Sequence, residues 1–339
     1  MKTIQVSSLP LKDVITDIAK ALNVPYTENC NLYELQLPAF IGSGTIKGID
    51  FEDGLGLIEY DCIFFEEIVF EFSVNDVHPL KFLFCLEGSF EHKFEDETDW
   101  HKIPQYKNAI VASNKFNGHV LRFNKDEHTI LHSLELSRKH FQRKMSCELK
   151  SLSKPLKDLL SDIKAKKTFY YDGFYSLELA DLFRELYHFE EKDYIKKIFL
   201  EGMAYQILTF QILQFQDDLK KEGKKTIFRE AEMKQLEKAI QIIDERISDL
   251  PTIDEIGSEV GLNPKKLQKG FQELVGSSVN SYIQKRRLDM AKTLLVTTDY
   301  SLSEICDTIG YKSKSYLTKV FKQEYGMNPS SFRNSNKLN

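Results

Sequence analysis

The sequence predicts an α+β chain: a β-sandwich or small barrel, then helices, then an all-α domain holding two helix-turn-helix units. Three observations predict it. Short segments rich in Ile, Phe, Val and Tyr recur before about residue 145. Helical periodicity takes over after about residue 138. An imperfect repeat, offset by 49 to 50 positions, occupies the last third. The length of 339 residues agrees with about two domains at ~150 residues each.

The first element is an amphipathic helix from Leu11 to Leu22, with Val14, Ile15, Ile18 and Leu22 on one side. The strands expected next are Gly44–Phe51, Gly56–Phe65, Ile68–Val74, Lys81–Leu86, Ser89–Phe94, Asn108–Val111, His119–Phe123 and Ile130–Leu136. Turn residues such as Glu87-Gly88, Asn117-Gly118 and Asn124-Lys125-Asp126 separate them. Phe64, Phe65, Phe70 and Phe72 read as core. A mostly apolar cavity with few polar groups is expected between the strands of residues 40–136.

From Ile195 to Phe215 apolar residues recur at helical spacing. Phe199, Met203, Ile207, Phe210 and Leu213 form a face too wide for a small β-domain to cover, so it is expected to dimerise. The charged stretch 217–226 reads as a linker, and Met233, Leu236, Ile240, Ile243 and Ile247 begin another helix. The expected domains are therefore 1–145, β-rich; 146–220, helical and dimerising; 221–231, linker; and 232–339, the double helix-turn-helix.

The repeat pairs Thr252–Gly276 with Ser301–Gly326. Thr252/Glu255 and Ser301/Glu304 each make an S/T-x-x-E capping box, which opens a helix. Gly261 and Gly310 can close those helices in the left-handed conformation. Asn263 before Pro264, and Ser313, can cap the second helix of each copy. Between the copies, Ser278–Thr297 reads as one helix with Val279, Ile283, Ala291, Leu294 and Leu295 inward. Its ~20 residues span roughly 30 Å, close to the ~34 Å of one DNA turn. Two recognition helices on such a strut could enter successive major grooves, with Lys285, Arg286 and Arg287 of the strut meeting phosphates.

Charge supports this reading. The whole chain carries −5. Residues 228–339 hold 17 Lys and Arg against 15 Asp and Glu, a net +2, whereas residues 1–227 hold 29 against 36, a net −7. No catalytic signature accompanies it. GxSxG, P-loop and HExxH patterns are missing, and Gly42-x-Gly44 lacks a third glycine. His128 and His132 share a spacing but lie in a strand context, and Glu66 and Glu67 point to opposite faces. No metal, no cofactor and no enzymatic activity are expected. Five cysteines without CxxC suit reduced thiols in the cytoplasm, and neither a signal peptide nor a membrane-spanning run is visible.

The region from about Met233 to Arg333 resembles the DNA-binding domain of AraC/XylS-type bacterial transcription regulators. The resemblance rests on Ile305, Gly310-Tyr311, Ser315-Tyr316-Leu317, Val320-Phe321-Lys322, Gly326-Met327-Asn328-Pro329 and Phe332-Arg333, with Arg287-Leu288, Ala291 and Leu294-Leu295 in the strut. It implies a seven-helix module that binds an asymmetric site through two adjacent major grooves. Base-contacting positions carry over onto Lys265, Gln268 and Lys269, and onto Lys314, Ser315, Thr318 and Lys319. Lys266, Gln272, Arg286, Arg287, Lys322 and Arg333 are assigned to phosphates. Lysine stands where Arg or Trp is more usual, and it meets guanine as a point charge. The N-terminal part, through Gly42-Ser43-Gly44, Gly54-Leu55, Leu86-Glu87-Gly88 and Ile198–Gly202, is similar to the siderophore-responsive pyochelin-regulator branch. That likeness implies a cupin-like sensing domain, a small-molecule effector (a ferric siderophore or another), a homodimer, and partners in double-stranded DNA and RNA polymerase. Two rivals stay open: a cupin-like binding or enzymatic domain with an accessory DNA module, and a ligand-independent activator controlled by abundance.

Overall fold

β-branched and aromatic residues alternate with turn residues through the N-terminal half, and strands form there. The computed structural model describes the chain except residues 1, 10, 52–53, 74–75, 145–151, 188, 190–192, 221–229, 276 and 337–339. It divides into two compact units, residues 1–224 and 225–339. The expected linker, 221–231, lies almost wholly outside the described residues.

The first unit opens with β1 (Lys2–Val6) and α1 (Leu11–Leu22), then runs through β2 (Tyr26–Asn29), β3 (Leu32–Gln36), β4 (Gly42–Asp50), β5 (Leu55–Phe64) and β6 (Ile68–Phe72). β7 (Leu80–Glu87), β8 (Ser89–Phe94), β9 (His101–Pro104), β10 (Lys107–Ala112), β11 (His119–Phe123) and β12 (His128–Leu136) follow. After α2 (Arg138–Lys144) and α3 (Lys154–Ser161) come β13 (Phe169–Tyr175), α4 (Leu177–Tyr187) and α5 (Asp193–Lys220). One sheet has the order β1-β6-β11-β8-β9 and the other β13-β10-β7-β12-β5-β4-β3-β2. All pairings are antiparallel except β1 with β6.

The sheets face each other through aromatic rings. Tyr60 of β5 meets Phe70 of β6 at 5.5 Å and Phe123 of β11 at 5.4 Å, and Phe64 meets Phe123 at 5.5 Å. These rings, with Phe90 and Phe94, are fully buried. They fill the interior in which an apolar cavity was expected. A depression of about 550 Å³ lies instead on the outside, lined by Thr16, Ala19, Lys20 and Tyr26 among others. The sequence reading of residues 138–250 as helical also needs correction at β13, which joins the edge of the larger sheet beside β10. Three consecutive aromatics, Phe169-Tyr170-Tyr171, flanked by turns are compatible with a strand as well as a helix, and pairing with β10 decides.

α5 divides its apolar residues between two faces. Leu200, Met203, Ala204, Ile207, Leu208 and Phe215 are buried in the unit's own core. Phe215 meets Phe169 at 5.9 Å and Tyr171 at 4.9 Å, and Phe199 stacks on Phe189 at 3.8 Å. Of the expected dimer face, Met203 and Ile207 are thus internal and Phe199 and Phe210 partly covered, while Leu213 is exposed. The outward stripe is a different one: Ile195, Ile198, Gly202 and Leu213. The β-sandwich leaves room for α4 and α5 on the outer face of its larger sheet, and that docking consumes half of the apolar surface the sequence offered.

The second unit is all helical: α6 (Glu230–Glu245), α7 (Ile253–Val260), α8 (Pro264–Leu274), α9 (Val279–Thr297), α10 (Leu302–Thr308), α11 (Lys314–Tyr325) and α12 (Pro329–Asn336). Among the described residues no helix is long and apolar enough to cross a membrane. Cys30, Cys62, Cys85 and Cys306 are free thiols; Cys147 falls outside the described residues.

Burial of Ile207 is directly measurable. Ile207→Ala should cost about 2–5 kcal/mol in denaturant unfolding, and a loss below about 1 kcal/mol would place the residue at the surface instead.

Candidate nucleic-acid interface

Each helix-turn-helix is built by capping chemistry that is visible in the sequence. Thr252 accepts from Glu255 N while Glu255 accepts from Thr252 N, and Ser301 and Glu304 repeat the arrangement. Gly261 (φ 75°) ends α7, and Gly310 (φ 74°) follows α10. Both adopt the left-handed conformation, where a side chain would be strained. Asn263 then caps α8 by accepting from Lys266 N, with Pro264 in the first position. Ser313 caps α11 by accepting from Tyr316 N. The extra residue of the second copy lies in the turn between Gly310 and Ser313.

Spacing of apolar residues turns the rest of α8 and α11 outward. Leu267, Phe271 and Leu274 anchor α8; Leu317, Val320 and Phe321 anchor α11. Both pack on α9. Its first half places Tyr282 against Phe271 at 5.5 Å. Its second half shares a core with α10 and α11 through Leu288, Ala291, Leu295, Ile305 and Phe321. At 1.5 Å per residue the 19 residues of α9 span about 28 Å.

Exposed residues on the two second helices include Lys265, Lys266, Lys269 and Gln272 on α8, and Lys314, Ser315, Lys319, Lys322, Gln323 and Glu324 on α11, with Thr318 partly exposed. Tyr316, 47% exposed, joins them. Sequence reasoning passed over it as part of the family motif, yet an aromatic one step from Ser315 on an outward face was the available signal. Its ring meets Tyr311 edge-on at 5.3 Å and its hydroxyl accepts from Gln284.

Several residues assigned to DNA are engaged within the unit instead. Arg287 donates through Nε and Nη2 to the Ile247 carbonyl at 3.2 and 3.0 Å and lies over the Tyr311 ring. Its guanidinium is held within the unit. Arg286 pairs with Asp244 at 2.8 Å and Lys266 with Glu232 at 2.6 Å. Arg333 donates to the Tyr300 carbonyl. Gln268 accepts from Val279 N at 3.0 Å, so its carbonyl oxygen fastens α8 to the start of α9. These contacts were invisible in sequence because each joins residues of different segments that meet only in the folded unit.

The arrangement defines a protein with paired helix-turn-helix units on one connecting helix. The family described as "Helix-turn-helix domain" matches residues 256–335, and the family described as "Regulatory protein PchR N-terminal domain" matches residues 42–226. The chain belongs to the AraC/XylS family of regulators and carries the PchR-type N-terminal domain. It is similar to regulatory protein PocR of Salmonella typhimurium, at 26% identity over 45% of this chain and 53% of that protein. It also resembles the xylose operon regulatory protein of Escherichia coli, at 34% identity over 25% of this chain and 21% of that protein. The chain thus spans about half or less of the length of these relatives. Among solved structures it matches the DNA-binding domain of AdpA in complex with a target DNA (21% identity, 31% of this chain, 94% of that chain, TM-score 0.30). It also matches apo ToxT from Vibrio cholerae (15% identity, 83% of this chain, 97% of that chain, TM-score 0.33).

The capping boxes carry a pH signature. Hydrogen bonds from Thr252 and Ser301 hold the Glu255 and Glu304 carboxyls below their ordinary 4.5. A carboxyl depressed by folding adds stability that is complete above the unfolded value and is lost as pH falls through the folded one. The second unit should therefore lose stability below about pH 4.5, and Glu304→Gln should flatten that loss. Ser301→Ala should cost about 1 kcal/mol at neutral pH. Unfolding titrations from pH 3 to 7 check both, and an unchanged slope in Glu304→Gln would remove the box from the energetics.

Proposed function

We propose that the chain is a sequence-specific DNA-binding transcriptional regulator whose α8 and α11 enter successive major grooves of one duplex. The observation that carries this reading is the pair of capped, outward-facing second helices fixed to the single strut α9. Lys265, Lys269, Lys314, Ser315, Thr318 and Lys319 read base edges, with Tyr316 beside them. Gln272 and Lys322 meet phosphates. Gln268, Lys266, Arg286, Arg287 and Arg333, which also make the internal contacts described above, take a smaller part in that interface.

The N-terminal unit senses a small molecule and pairs two copies of the chain. The outward stripe of α5, Ile195, Ile198, Gly202 and Leu213, supports pairing with a second copy, since an exposed apolar stripe on a helix is an unfinished interface. Family membership supports regulation through RNA polymerase. The effector would act by linkage, binding one arrangement of the protein better than another.

Binding titrations test the DNA reading. Lys269→Ala and Lys319→Ala should each cost about 1–3 kcal/mol and relax preference at different base pairs, roughly one helical turn apart. Lys322→Ala should weaken all sequences evenly and lower the salt slope by about one unit. Inserting about 5 bp between the half-contacts, half a helical turn, should abolish specific binding. Full affinity for the spacer-altered site would leave only one unit engaged.

A further inference from the structure

Polar side chains buried between the sheets gather against Phe94, which meets the His92 ring at 4.9 Å and the His119 ring at 5.4 Å. His92 of β8 and His119 of β11 both point inward and are 0% exposed. Nε2 of His92 lies 3.1 Å from Nδ1 of His119. His78, in the β6–β7 connection, meets the His119 ring edge-on at 5.2 Å. Tyr170 of β13 stacks on His101 at 4.0 Å and lies 5.9 Å from the His92 ring. Arg138, at the start of α2, is buried and donates to the His78 carbonyl at 3.4 Å. No short-range spacing links His78, His92 and His119, which are spread over 42 positions of the sequence.

The cluster is unfinished. Nε2 of His78, Nδ1 of His92, Nε2 of His119, Nε of Arg138 and the Tyr170 hydroxyl are buried without a hydrogen-bond partner. Folded interiors pair nearly all such atoms with protein, water or ligand. These five lie along one chain of contacts, from Arg138 through His78, His119 and His92 to Tyr170, and each calls for a partner from solvent or a ligand.

Its chemistry follows from the atoms left over. Burial, reinforced by Lys81 and Arg138, lowers His78 to about 4; burial, reinforced by His101 and Lys81, lowers His92 to about 3; and burial takes His119 well below its usual value. The rings are neutral at pH 7. In a neutral imidazole pair one outer nitrogen carries a proton whichever way the shared bond runs. That N–H joins a guanidinium N–H and a phenol O–H, so the unmatched groups are mainly donors. The charges bearing on the rings are Lys81, Arg138 and, at His92, His101; only Asp76 opposes them, at His78. Lys81 is matched by Glu135, which also accepts from Ser133. Arg138 forms no direct ion pair among the described residues, although the Asp162 carboxylate acts on it and partly offsets the lowering by burial. Nor do three His, Cys, Asp or Glu side chains among them converge as a metal site would require. A buried guanidinium with donors beside it fits an anion rather than a cation.

We propose that this end of the sandwich binds a small oxyanion, a carboxylate or phosphate group. Arg138 supplies the charge, and His78, His92, His119 and Tyr170 the remaining contacts. This gives the effector of the proposed regulator a chemical class and a seat, and it rests on that reading only for its biological meaning. The site is polar, where the sequence suggested an apolar one.

The test uses the full chain without DNA. Acetate, succinate, citrate and inorganic phosphate are titrated calorimetrically against chloride at constant ionic strength, while the imidazole nitrogen resonances are followed by NMR. Saturable binding of at least one oxyanion is expected, with shifts of the His92 and His119 resonances. Arg138→Met should weaken that binding at least about tenfold, with Arg138→Lys retaining part of it. If Arg138→Met fails to fold, the wild-type resonances still decide. Binding of phosphate alone, or of carboxylates alone, assigns the group. No saturable binding at millimolar concentrations with unmoved resonances overturns the proposal. So does zinc binding that shifts the same resonances while no oxyanion does. Gel-shift assays run in parallel keep the two ideas apart, since loss of DNA binding with oxyanion binding intact refutes only the regulator.

Discussion

The second unit depends on one junction. Arg287, from the middle of α9, gives two hydrogen bonds to the Ile247 carbonyl and covers the Tyr311 ring at 5.3 Å. Gly310 lets the backbone come this close: a Cβ there would lie 2.4 Å from the Ser248 carbonyl oxygen and 2.8 Å from the Arg287 guanidinium. The turn after α6, the strut and the entry to the second helix-turn-helix are thereby held at one point. A charge-assisted pair of this kind is stronger than a neutral hydrogen bond and directional. It sets the second recognition helix relative to the first, a task the apolar contacts along α9 cannot do alone because they are non-directional.

The central strands β5, β7 and β12 of the larger sheet are buried on both faces and connect two environments. Inward, Lys81 and Glu135 pair across β7 and β12 beside the histidine cluster. Outward on the same strands, Phe84 and His132 stack on Phe183 of α4 at 5.1 and 4.1 Å. His132 also lies 3.3 Å from Glu59, which faces Lys47 at 3.7 Å. An occupant bound between the sheets, as proposed, would press on the opposite side of one layer from the helices outside it. Close packing leaves such a layer few ways to yield on one side without shifting the other.

Local chemistry determined much of this protein in advance. The helix Leu11–Leu22, the eight strands expected between residues 44 and 136, both capping boxes, both stop glycines and the caps Asn263 and Ser313 stand where the residues indicated. Each depends on neighbours within a few positions, so periodicity and capping suffice to read it. The outward lysines of α8 and α11 followed from the same periodicity.

Tertiary structure decided what depends on distant partners. Whether Ile207 faces a second copy or its own core turned on how much of α5 the sheet would cover. Where the Arg287 guanidinium points turned on a carbonyl 40 residues away. β13 became a strand because β10 offered an open edge. The histidine cluster exists only because β8 and β11 are neighbours in register, which sets His92 and His119 side by side. Apolar pattern and capping are local quantities, whereas hydrogen-bond partners, burial and charge compensation belong to groups that meet only when the chain has folded.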